Sequence, residues 1–175
     1  MARFRKAGRQ HAALGHRNLT TVEYLHRPTQ RQILEAMAES RPIVVTGLEP
    51  TPPCRDWTLE RLVERFGEAV VRVRSATHRQ TMADFVRELQ EFEANPYDRM
   101  IEGFVKPYTE GATLPEAMGA DFGPLFFDRE DFIPPQLWMG AVPTHIPTSS
   151  LHRDPLTGFL FQVMGRKRLD LYSAD

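Results

Sequence analysis

The stretch LHRDPLTGFLFQVMGRKRLDLY, Leu151 to Tyr172, decides how this chain is read. It opens on His152-x-Asp154. Side chains two residues apart on an extended segment point to the same side, because they alternate with period two. An imidazole nitrogen and a carboxylate oxygen are thus presented together. They are two of the three ligands of a 2-His-1-carboxylate facial triad, a site that leaves metal positions open for chemistry. A lone HxD occurs in many proteins by chance. Here it precedes an apolar run, Gly158 to Met164, then Gly165, the basic trio Arg166-Lys167-Arg168, and a second apolar run to Tyr172. The pattern predicts strands over Gly158–Met164 and Lys167–Tyr172 with a tight turn at Gly165.

Upstream, helical and strand periods alternate. Thr29 to Ser40 carries Ile33, Leu34 and Met37 at helical spacing and is stopped by Arg41-Pro42. Ile43–Thr46 reads as a buried strand ended by Gly47. Thr58 to Phe66 places Leu59, Leu62, Val63 and Phe66 on one helical face, with Gly67 as its stop. Ala69 to Arg74 alternates: Val71 and Val73 on one face, Arg72 and Arg74 on the other. Thr81 to Phe92 is a third helix, carrying Met82, Phe85, Val86 and Leu89. Asn95 to Asp131 is irregular and rich in proline and glycine; a loop of that length is usually functional. Within it, Ile101 to Pro107 reads as a short strand and Ala112 to Met118 as a helical turn, and Gln136 to Val142 follows as a strand. Helices come first and strands accumulate later, which is an α+β arrangement.

The chain has 175 residues, 41% of them apolar, and a formal net charge of −1. That suits one globular domain with a real core. No apolar run is long enough to span a membrane, and the basic start is not followed by the apolar region of a signal peptide. Cys54 is the only cysteine, so no intrachain disulfide can form and a reducing, cytoplasmic setting is expected. Met1 to Arg31 holds seven Lys/Arg and one acid, Glu23. Residues 1–30 are therefore read as a basic extension. It lacks interleaved aromatics and any nucleic-acid motif, which argues for a solvated arm and against a nucleic-acid partner.

The segments Leu137-Trp-Met-Gly140, Ser149-Ser-Leu-His152-Arg-Asp154 and Phe161-Gln-Val-Met-Gly-Arg-Lys-Arg168 resemble the Jumonji-C/cupin-like branch of Fe(II)- and 2-oxoglutarate-dependent oxygenases, in particular its asparaginyl-hydroxylase-like members. Arg41 to Gly47 and Trp57 to Gly67 resemble the N-terminal part of the same family. The resemblance implies helices packed on part of a double-stranded β-helix (cupin, jelly-roll) barrel over residues 31–175. It implies Fe(II) at His152 and Asp154, and 2-oxoglutarate with its distal carboxylate on Lys167, fifteen residues after His152. A buried dianion needs such a cation. Ser149 stands where the family places a hydroxyl on the same carboxylate. The segment from Gly140 to His152 is longer than is usual there, so Thr148 or Ser150 could serve instead. Gln162 is a further candidate for cosubstrate binding, or simply a polar residue of the barrel wall.

The departure that matters most is that no histidine follows His152. His145 lies between Pro143 and Pro147 and reads as a loop residue, not the third ligand. His11, His16, His26 and His78 read as ordinary surface residues. The barrel is therefore expected to be incomplete, with the chain a fragment of a longer enzyme and inactive alone. The activity expected of the whole protein is hydroxylation of a protein side chain or small molecule, and a homodimer of the complete protein is expected. The rival readings are a non-catalytic cupin-like module that binds a metal or ligand, and a cupin isomerase or sugar-binding protein. Lys167 separates them: only the oxygenase requires a strand lysine aimed at a dicarboxylate.

Overall fold

A computed structural model describes residues 3–5, 19–49, 51–73, 78–97, 107–109, 111–122, 126–142 and 149–172. The chain divides into two compact units, Met1–Thr51 with Thr157–Asp175, and Pro52–Leu156.

In the first unit, β1 (Arg3–Arg5) pairs antiparallel with β2 (Leu19–Thr21) and parallel with β9 (Asp170–Tyr172). A second sheet joins β3 (Glu23–His26) and β4 (Ile43–Thr46) in parallel, Glu23 opposite Ile43 and His26 opposite Thr46. Parallel neighbours need a crossover, and α1 (Gln30–Ala38) supplies it. Thr29 caps α1: its hydroxyl accepts from the Gln32 N–H, and the Gln32 side chain accepts from the Thr29 N–H at 2.9 Å. This capping box satisfies two of the helix's orphan donors. Ile33 and Ala36 are buried, whereas Leu34 is exposed. The helix ends with Ser40 at φ 51°, a left-handed position, and the Arg41 N–H reaching back to the Ala36 carbonyl at 2.8 Å.

In the second unit, a 3-10 turn (Pro53–Asp56) leads into α2 (Leu59–Phe66), capped by Thr58. β5 (Val70–Val73) and β6 (His78–Thr81) pair antiparallel, and Thr81 then caps α3 (Met82–Ala94) by accepting from the Asp84 N–H at 3.1 Å. Met82, Phe85, Val86, Leu89 and Phe92 recur at helical spacing and are all buried. They pack α3 against α2 and against the hairpin, where Leu62, Phe66, Val71 and Val73 meet them in the core. Each such side chain contributes about 1.5–3 kcal/mol when taken from water. Beyond this lie β7 (Ala112–Thr113), the short α4 (Glu116–Gly119) and β8 (Gln136–Leu137), with β7 and β8 antiparallel and Tyr108 bridged to Gly140.

The α+β character holds, and the helices and the strands around Ile43 and Val71 fall where their periodicity puts them. Several expectations are corrected. Gly158–Met164 forms no strand, and of Lys167–Tyr172 only Asp170–Tyr172 does. A period-two pattern marks a face, but a strand exists only where a neighbour completes the ladder, and the run Gly158–Met164 has none among the described residues. β4 is half-buried, not buried. Ala112–Met118 divides into strand and helix, and Gln136–Val142 keeps strand pairing only at its start and at Gly140. His78 begins a strand that its own sequence context does not announce. The described residues form four small sheets and not a closed barrel. Of the expected strand Ile101 to Pro107, only Pro107 falls within the described residues; His11, His16, His145 and Thr148 lie outside them.

Candidate functional site

His152 and Asp154 lie on a segment of the second unit that pairs with no strand. The structure brings them together: His152 Nε2 stands 3.9 Å from Asp154 Oδ1, with the side chains 54% and 74% exposed. His152 Nδ1 is 2.7 Å from the Ser150 carbonyl oxygen. A carbonyl only accepts, so Nδ1 carries the proton, and in the neutral ring Nε2 offers its lone pair on the Asp154 side. Metal-binding histidines are commonly held by such a bond from the other ring nitrogen, which fixes tautomer and ring orientation.

The donor set fits a divalent metal. Two ligands at right angles, each about 2.1 Å from an ion, lie about 3 Å apart. The observed 3.9 Å separation is wider by roughly one ångström, within reach of a χ rotation by two exposed side chains. Among the described residues no third His, Cys, Asp or Glu joins them. Ser149 is exposed, as is every residue from there to Leu160.

Gln162 and Lys167 belong to the first unit. The Gln162 amide donates to the Met164 carbonyl at 2.5 Å, tying down the turn at Gly165, whose φ of 69° is the left-handed value a tight turn asks of glycine. Lys167 is half-buried, and burial pushes its ammonium pKa down. Arg168 closes on Asp170 at 3.3 Å.

A second polar centre, in the second unit, escaped the sequence reading. Asp121 is 4% exposed. Its Oδ2 accepts from Trp57 Nε1 at 2.7 Å and from the Arg65 guanidinium at 2.5 Å, and its Oδ1 accepts from Arg65 at 2.9 Å. The bidentate Arg65 holds the Asp121 carboxyl below its ordinary range, and the indole N–H adds to this against the cost of burial. Trp57 packs edge-on against Phe66 and Phe122, and Arg65 lies 4.7 Å over the Phe66 ring. The Asp121 carbonyl accepts from the Cys54 N–H at 3.2 Å. Burial, then the Asp121 charge, pushes the Cys54 thiol up to about 11, so it is an inert core residue and not a nucleophile. No local motif marks this knot, because its partners are 56 and 64 residues apart in sequence.

Surface depressions of about 370 and 390 Å³ lie between α2 and α3 (Leu59, Val63, Val86) and around Trp57 (Arg55, Thr58, Arg61); neither is lined by His152 or Asp154.

Residues 28–175 match the cupin-like domain family, of the Jumonji-C type. This chain belongs to that family. The match covers most of the cupin-like chain, including His152, Asp154 and Lys167, and every helix described. Among the described residues, no helix of this cupin-like protein is long and apolar enough to cross a membrane.

Proposed function

We propose that this cupin-like protein is an Fe(II)- and 2-oxoglutarate-dependent hydroxylase of a protein side chain or small molecule. The observation that carries the reading is the His152 ring, oriented through the Ser150 carbonyl so that Nε2 and the Asp154 carboxylate form one donor pair. Family membership makes that pair more than a chance HxD. Residues 31–175 carry the oxygenase domain in this reading, and the basic residues 1–30 precede it and supply β1, β2 and β3 to the sheets of the first unit.

His152 and Asp154 hold the metal. Bound there, Fe(II) with 2-oxoglutarate would supply oxygen activation. Lys167 neutralises the distal carboxylate of the cosubstrate. Burial disfavours its charge, and an anion beside it restores that charge, so the two stabilise each other. Ser149, or Thr148 or Ser150 in its place, would donate a hydroxyl hydrogen to the same carboxylate. Gln162 donates one amide N–H to the Met164 carbonyl, and its second N–H and its carbonyl oxygen are the groups it could turn to the cosubstrate.

The test is Fe(II) binding and succinate release from 2-oxoglutarate, measured on the protein expressed from its complete reading frame with ascorbate present. Turnover is expected, with His152→Ala and Asp154→Ala losing metal and turnover together. Lys167→Ala should keep the metal and raise the 2-oxoglutarate requirement. Metal binding without any 2-oxoglutarate consumption would replace this reading with a non-catalytic cupin-like module, which the high exposure of both ligands favours. Metal affinity unchanged by His152→Ala would sink both.

A further inference from the structure

We infer that Arg72 and Arg79, on the outward face of the β5–β6 hairpin, form a binding site for a phosphate group, taken as inorganic phosphate or as a phosphomonoester. The antiparallel register sets Arg72 directly opposite Arg79. Residues so paired share one face, with Cβ atoms about 4.5–5.5 Å apart. The other face is settled by burial. Val71 and Val73 are in the core, and Gln80, opposite Val71, turns inward to donate to Glu88 of α3 at 2.9 Å. Arg72 and Arg79 are both exposed.

Two like charges directly opposite each other are destabilising. Two arginines of this unit have a carboxylate partner, Arg65 on Asp121 and Arg87 on Asp84, while Arg61 reaches only the Asp56 backbone carbonyl. Among the described residues no carboxylate forms an ion pair with Arg72 or Arg79. Arg72 and Arg79 therefore place two positive charges on one exposed face, with no described carboxylate paired to either. A tetrahedral phosphate dianion matches both the charge and the donors, because its oxygens can serve two forks at once. Val70 stands on the same face, opposite Thr81, and is 58% exposed. It offers a small apolar shelf to the organic part of an ester. The site does not involve the proposed metal ligands and does not rest on that reading.

The test is a titration of inorganic phosphate and, separately, O-phosphoserine at fixed ionic strength. It follows the arginine side-chain N–H resonances of the wild-type protein and of Arg72→Gln, Arg79→Gln and, as a control, Arg87→Gln. Saturable shifts at both Arg72 and Arg79 are expected. Each of their substitutions should weaken binding about tenfold, the loss of one charge-assisted contact. The Arg87 variant should bind as wild type does. Tighter binding of O-phosphoserine assigns the site to esters, and equal or weaker binding assigns it to free phosphate; both uphold it. In phosphate-free buffer Arg79→Gln should melt no lower than wild type, because the repulsion is gone. Shifts that never saturate and match those of chloride would overturn the site, as would affinity unchanged in both substituted proteins.

Discussion

Asp121 shows what one residue can hold. It is nearly inaccessible, and it satisfies a buried indole N–H and a bidentate guanidinium at once. Asp121→Ala leaves the Trp57 N–H buried without an acceptor and releases Arg65. The expected loss is about 2–4 kcal/mol in urea unfolding, since orphaned buried partners cost more than the bond itself. A loss within experimental error would show that water replaces the carboxylate. His152 is the contrasting case. Its pairing with Asp154 was legible from the two-residue spacing, whereas the bond from its ring to the Ser150 carbonyl was not. Asp121 was illegible for the opposite reason: its partners are distant in sequence, and an aspartate between Ala120 and Phe122 resembles any turn residue.

Elements were legible where local chemistry and burial agree. The α3 stripe Met82, Phe85, Val86 and Leu89 can be read from spacing alone and is buried as read, and Phe92 joins it in the core. Its start is also local, since Thr81 accepts from the Asp84 N–H. Thr81→Ala should cost about 1 kcal/mol, the usual worth of an N-cap, in thermal or urea unfolding. The loop at Gly111 carries a stricter demand. Its φ is 73°, and a Cβ built there would stand 2.6 Å from the Trp138 ring. Gly111→Ala should therefore destabilise by about 1–3 kcal/mol through backbone strain and displacement of the indole. Unchanged stability, with unchanged Trp fluorescence, would show that the ring yields freely. The misread elements are those whose state depends on a distant neighbour. Gly158–Met164 has the composition of a strand, but β9 finds its partner in β1, more than 160 residues earlier.

At the scale of the whole molecule, stability should depend on acid in a defined sense. The Asp121 carboxyl is held below its usual range, chiefly by Arg65, and Asp84 is lowered by the Thr81 hydroxyl and then by Arg87. Groups depressed on folding stabilise fully above their unfolded values, about pH 4, and lose that contribution as pH falls through the folded values. Urea midpoints should be level from neutral pH down to about pH 5 and then fall steeply. In Asp121→Ala the fall should be shallower; an identical profile would remove Asp121 as its source.

The sequence by itself determined the α+β class, the places of the helices, the turn at Gly165 and the closeness of His152 to Asp154. Each rests on interactions within a few residues, where spacing dictates geometry. Tertiary structure alone decided which apolar runs became strands, that Asp121 joins Trp57 and Arg65, and that Arg72 faces Arg79. Those outcomes depend on which distant segment completes a ladder, shares a buried charge or sets a register, and hydrophobic periodicity carries no information about the identity of the partner.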